Sequence, residues 1–253
     1  MKLKLLFSAI LMLPAASLFA QHSDVELGYD DTANPTGFVI EQDNVTSDGL
    51  QIFEAEFEAL DPFNTSDLSS DEPGFATNAA EGLLMNSGDQ LWLTALDGSV
   101  HSSFGVGYVN YYNPTSGNLE AAGRLAVLDN SAGTPDLVLN GASVESGPVT
   151  QFLDTADSAG DIHDHFVLDL LDDSTAPIGA YGVLFQLQAD FDTPDGTMDV
   201  SSDPFWIVWN HGLSEADFED NALPTFGFTA VPEPGSAGLL MLIGGVWALR
   251  RRR

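Results

Sequence analysis

The 253 residues contain no cysteine. No disulfide, thiolate ligand or thiol nucleophile can form, so the fold must rest on its core, or on its core and bound ions. Positive charge is nearly as scarce. Lys and Arg total seven against 38 Asp and Glu, a formal charge of −31. Six of the seven bases lie at the two ends (Lys2, Lys4 and Arg250 to Arg253), which leaves only Arg124 between them. Of the acids only Glu233 lies in those ends, so residues 21–230 carry 37 acids against one base, a charge of −36. Such a segment cannot neutralise phosphates, and this excludes nucleic acid as a partner. It repels itself at low salt and gains from screening or divalent cations. Acidic composition also suits disorder, but 44% hydrophobic content with 16 Phe argues for a packed core.

Catalytic signatures are missing too. There is no Gly-x-Ser-x-Gly, no His-Glu-x-x-His and no phosphate-binding Gly loop. Nothing singles out a carboxylate pair for glycoside hydrolysis among so many acids. The expectation is a chain that is not an enzyme.

What is present begins at the ends. Residues 1–20 read as a signal peptide, with Lys2 and Lys4 before the apolar Leu5 to Leu13 and a cleavage site at Ser17-Leu18-Phe19-Ala20. Export through the Sec translocon would leave a mature chain starting near Gln21 or His22. Residues 231–253 have three parts: the rigid Val231-Pro232-Glu233-Pro234, the apolar, uncharged Gly235 to Leu249, and the cationic Arg250 to Arg253. As a helix the middle part is ~22 Å long, short of a ~30 Å hydrocarbon core. Phe226 and Phe228 before it and snorkelling arginines after it extend its hold on a membrane, with the arginines on the cytoplasmic side.

This tail resembles the PEP-CTERM sorting signal of exported bacterial proteins, whose motif residues here are Pro232, Glu233 and Pro234. The resemblance implies recognition by an exosortase, a transient stay in the inner membrane, and release to the cell surface or the extracellular polysaccharide matrix. An ordinary membrane anchor would not need Pro-Glu-Pro.

Residues 21–230 show no repeat and no linker, and read as one domain. Their period is that of strands. In Gln51 to Glu58, Phe53, Ala55 and Phe57 alternate with Glu54, Glu56 and Glu58, the pattern of a half-buried antiparallel strand. Further strands are expected at Gly37 to Glu41, Gln90 to Leu96, Phe104 to Tyr112, Arg124 to Leu128, Leu137 to Asn140, His165 to Leu171, Ala180 to Phe191 and Phe205 to Trp209. Turn residues such as Asn86-Ser87-Gly88-Asp89, Leu96-Asp97-Gly98 and Asn140-Gly141 separate them. About nine such strands predict an all-β fold, an antiparallel β-sandwich of jelly-roll type. One short helix is expected after Ser214, a good cap followed by Glu215 and Asp217.

Two groups of residues suggest metal binding. His163-Asp164-His165 puts two imidazoles on one face of a strand, ~7 Å apart, close enough to share one ion. Zn²⁺ needs three or four ligands, which His22 or His211 would supply, with Asp161 or Asp164 completing the set or orienting a ring. The plain alternative is two exposed histidines beside acids. Asp190, Asp192, Asp195 and Asp199, around the Asp195-Gly196 turn, offer hard oxygens for Ca²⁺. Their spacing is not that of an EF-hand, and a polar hairpin tip explains them equally.

A second resemblance joins the first group. His22-Ser23-Asp24 near the mature start, His163-Asp164-His165, and Gly179-Ala180-Tyr181 leading into a long strand are similar to the parts of a family of bacterial surface-anchored proteins. Some members are linked to zinc, which implies metal binding by His22, His163 and His165. That family carries Trp after its His-x-His, where this chain has Phe166. A carbohydrate-binding or carbohydrate-active sandwich is the other reading. It rests on Trp206 and Trp209, which can stack on sugars if exposed, although a strand buried on both faces is the commoner setting for such a cluster.

Overall fold

A computed structural model describes residues 24–30, 37–41, 46–58, 68–80, 82–128, 135–172, 175–190 and 200–228. The expected signal peptide, His22, the sorting tail and Asp192, Asp195 and Asp199 lie outside these residues. No helix among the described residues is long and apolar enough to cross a membrane.

In chain order the first strands are β1 (Val25–Asp30), β2 (Gly37–Glu41), β3 (Gln51–Glu56), β4 (Ser69–Ser70), β5 (Phe75–Thr77) and β6 (Gln90–Leu96). A short helix, α1 (Gly98–His101), precedes β7 (Asn110–Asn113), β8 (Asn118–Ala121), β9 (Arg124–Leu128), β10 (Pro135–Asn140) and β11 (Ser143–Ser146). Then come β12 (Thr150–Thr155), β13 (His163–Asp164), β14 (Val167–Leu170), β15 (Gly179–Ala189), β16 (Val200–Ser201) and β17 (Phe205–His211).

They form three sheets. One runs β13-β5-β1-β2, a second β11-β10-β9-β14-β4, and the long one β12-β6-β15-β17-β3, with β7, β8 and β16 attached through β15 and β7. A single buried cluster takes side chains from all three: Leu27 and Phe75 from the first, Leu125 and Leu168 from the second, Phe185 and Ile207 from the long sheet. The fold is thus the expected β-sandwich, built on an apolar core. Most pairings are antiparallel, but β1 runs parallel to β5 and β17 parallel to β3. Strands that are distant in sequence can meet in either sense, and sequence periodicity does not choose between them.

β3 follows its alternation, but it pairs parallel with β17 and not antiparallel as expected. Phe53, Ala55 and Phe57 are buried, whereas Glu56 and Glu58 are exposed. β15 and β17 are buried almost throughout because both faces of the long sheet are covered at their centre. Tyr181, Val183, Phe185, Phe205 and Trp209 point into the main core. Ala180, Leu184, Trp206 and Val208 point outward, beneath a helical segment. That segment is α2 (Glu215–Asp217), a π-helical turn (Phe218–Ala222) and α3 (Leu223–Thr225). Ser214 caps it as expected, its hydroxyl accepting from the Asp217 N–H.

Two expectations change. Phe226 does not extend a membrane segment. It is fully buried, edge-on to Trp206 at 5.5 Å between ring centroids, and seated where a side chain on Gly182 would otherwise stand. Phe228 is half-buried and bridges to Thr46. The strand expected over Phe104 to Tyr112 shrinks to Asn110–Asn113. Asp97 starts α1 by accepting from the Ser99 N–H, so the turn residues Leu96-Asp97-Gly98 open a short helix. Gly105 then packs so tightly on Gly98 that a Cβ there would lie 2.3 Å from its backbone.

Candidate metal centre

The His-x-His segment lies where the chain changes sheets. His163 and Asp164 form β13 at the edge of the first sheet, paired with Ala76 and Phe75. Val167 begins β14 in the second sheet. Two anchors fix the crossing. Before it, the Thr77 N–H donates to the Ile162 carbonyl and the Ile162 N–H donates to the Thr77 hydroxyl. After it, the buried Phe166 stacks on Phe75, with centroids 5.6 Å apart. Between these anchors the two imidazoles converge beyond what an extended strand gives. Their Nε2 atoms stand 3.2 Å apart.

Asp24 comes from far upstream in the chain, immediately before β1. The Val25 N–H donates to the Gly74 carbonyl at 2.7 Å, which holds the start of β1 against the turn before β5. The Asp24 carboxylate then lies 3.3 Å from His163 Nε2 and 3.9 Å from His165 Nε2. Asp24, His163 and His165 form a group whose ligand atoms all lie within 4.8 Å of one another. Ligands at ~2.05 Å around a tetrahedral ion sit ~3.3 Å from each other. The 3.2 and 3.3 Å separations match that spacing.

The ring of His165 is already oriented for such a role. Its Nδ1 lies 2.8 Å from the Asp71 carbonyl oxygen. A carbonyl only accepts, so Nδ1 carries a proton, and the neutral form of the ring would turn its Nε2 lone pair toward His163 and Asp24. The neighbouring Glu72 carbonyl accepts from the buried Trp209 indole at 3.1 Å, which ties this turn to the core. Gly74 completes the arrangement. A Cβ there would stand 2.5 Å from His165 Cε1 and 2.7 Å from Asp24 Oδ1.

The other proposed ligands lie elsewhere. Asp164 alternates to the other side of β13, where burial first and the Asp154 carboxylate second push its pKa up. Asp161 is exposed in the preceding turn. His211, at the end of β17, places Nδ1 3.1 Å from the Pro177 carbonyl and its ring beside Tyr181, outside the three-residue group. Asp190 is fully buried, and its carboxylate accepts from the Gln90 N–H. Trp206 and Trp209 have no exposed surface, so neither can stack on a sugar.

Comparison with known proteins adds little to this geometry. No family model matches the chain, and no curated protein does. Among solved structures the chain is similar to the ASH / PapD-like domain of human CEP192 (PapD-like domain 7). The identity is 13% and the TM-score 0.26, over 66% of this chain and 84% of that domain.

Sequence reasoning located the two histidines but not the acid. Asp24 was visible only as the third residue of His22-Ser23-Asp24. What brings it to His163 is a parallel β1–β5 pairing beside an antiparallel β13–β5 pairing, and neither leaves a local pattern.

Proposed function

We propose that this is an exported surface or matrix-associated protein whose β-sandwich binds a divalent transition metal ion, Zn²⁺ above all, through Asp24, His163 and His165. The observation that carries the reading is the convergence of two Nε2 atoms and a carboxylate, two of their separations (3.2 and 3.3 Å) at tetrahedral spacing and the third at 3.9 Å, with Nδ1 of one ring bonded to a carbonyl so that its Nε2 faces the group. Two imidazoles and one carboxylate are a borderline set suited to zinc and unsuited to calcium, which takes six to eight oxygens. Three protein ligands leave a coordination position for water or for His22, two residues upstream of Asp24. The group is partly exposed, so an ion can enter and leave without unfolding the chain. Export and sorting rest on the signal-like residues 1–20 and on the Pro232-Glu233-Pro234 tail.

The test is metal content by mass spectrometry on untagged protein dialysed against calcium and trace zinc. Near-stoichiometric zinc is expected, lost in the His163→Ala/His165→Ala double variant. Equal zinc in the wild type and the double variant, or none in either, would overturn the reading.

A further inference from the structure

The outer face of the long sheet is only half covered. The helical segment lies over Trp206, Leu184 and Val208. Toward β12 the outward side chains form two rows, in which Phe152 is exposed, Trp92, Gln188, Gln186 and Thr150 are half-buried and Thr94 is buried. Gln188, Trp92 and Phe152 stand side by side on β15, β6 and β12, and Gln186, Thr94 and Thr150 form the next row. Adjacent strands are ~4.8 Å apart, so each row is a flat strip about 10 Å wide.

The chemistry of these rows differs from that of the rest of the molecule. Phe152 is 55% exposed, the only aromatic among the large exposed apolar side chains of the described residues. It meets Trp92 edge-to-face at 6.2 Å between centroids. An open aromatic on an edge strand invites aggregation, a cost that needs a reason. Around this pair the polar groups are neutral and held in place. The Thr94 hydroxyl donates to Gln188 Oε1 at 2.8 Å and bonds the Thr150 hydroxyl at 2.9 Å. Gln186 Nε2 donates to the Ser202 carbonyl at 2.8 Å. No protein group among the described residues accepts from the Trp92 indole N–H. Neither row holds a charged residue, in a segment that carries 37 acids against one base.

We propose that this strip binds a neutral polysaccharide, with the exposed Phe152 ring packing on a sugar, Trp92 bracing it edge-on, and the Gln188 amide and Trp92 N–H bonding hydroxyls. Charge selects the occupant. A polyanion would be repelled by the surrounding acids, and a polycation would find no acid in these rows to pair with. A flat, uncharged, hydroxyl-rich chain suits an aromatic pair flanked by fixed amide and hydroxyl groups, which need little reordering on binding. β12 is the edge of the sheet, so a polymer can run past it on that side.

The test is native affinity electrophoresis of the full chain in gels containing mixed-linkage β-glucan, galactomannan, dextran or alginate. Retardation by at least one of the three neutral polymers and none by alginate is expected. Trp92→Ala and Phe152→Ala would each weaken binding at least about tenfold, as truncation of a binding hot spot does. The exposed Phe152 can be truncated without opening the core, so its variant serves even if Trp92→Ala misfolds. His163→Ala/His165→Ala would bind glycan like wild type, which separates this strip from the metal site. No retardation by any neutral polymer, stronger retardation by alginate, or Phe152→Ala retarded as wild type would overturn the proposal.

Discussion

Gly74 decides whether two side chains far apart in sequence, Asp24 and His165, can meet. A Cβ at this position would press on the His165 ring and on the Asp24 carboxylate, both of them side chains that can give way. Gly74→Ala should therefore leave the fold intact while displacing two ligands. Zinc affinity, read by competition with a chromophoric chelator, should fall about 10- to 100-fold, the range seen when support around a metal ligand is lost. Unchanged affinity would mean that the ion does not sit between these groups. The sequence showed that His163 and His165 share a face, because alternation is local. It could not show that Nδ1 of His165 reaches Asp71, since that bond depends on a turn held by Trp209 from another sheet.

Among the elements, the helical segment over the long sheet contributes more than its length suggests. Ser214 caps it, both accepting from the Asp217 N–H and donating to the Asp217 carboxylate at 2.7 Å. Ser214→Ala should cost about 1 kcal/mol in denaturant unfolding, the usual loss for an N-cap. Phe226, at the end of the segment, fills the space left by Gly182 against Trp206. Phe226→Ala should cost about 3–5 kcal/mol, because the β-sheet beneath cannot collapse into the gap. A loss under 1 kcal/mol would mean that the segment is not packed there. The cap was legible from Ser214-Glu215-Ala216-Asp217 alone. The burial of Phe226 was not, because an aromatic just before an apolar tail reads equally well as core or as membrane anchor. The short strands β4 and β5 also left no trace, being too short to show a period.

For the molecule as a whole, charge is the dominant fact. With −36 on residues 21–230, raising monovalent salt from about 10 mM to 1 M shortens the screening length from ~30 Å to ~3 Å and should raise the melting temperature steadily. A flat or falling melting temperature would contradict self-repulsion. Arg124, the lone base, bridges Glu145 at 2.6 Å and Asp172 at 2.7 Å, joining β9, β11 and the turn after β14. Its hydrogen bonds, and next those from Asn140, hold the Glu145 carboxyl below its usual range. A lowered carboxylate pKa means that the unfolded chain binds more protons, so this contribution is present above the usual carboxylate range and lost as pH falls through the folded value. Arg124→Gln should therefore flatten the acid-side decline in melting temperature between about pH 5 and pH 3. Its cost at neutral pH should be small, since both bridges are solvent-exposed. An unchanged acid limb would show that the bridges do not persist in solution. The sandwich was legible because its strands alternate and its turns carry Gly, Asn and Asp. The order of strands within the sheets was not, because pairing between distant segments depends on the whole core. If the folded chain holds zinc through the Nε2 atoms of His163 and His165, ¹⁵N spectra of the histidine rings with one equivalent of Zn²⁺ should show it. Both Nε2 resonances should move to metal-bound positions while Nδ1 of His165 stays protonated. Unmoved Nε2 resonances, or coordination through Nδ1 of His165, would contradict it.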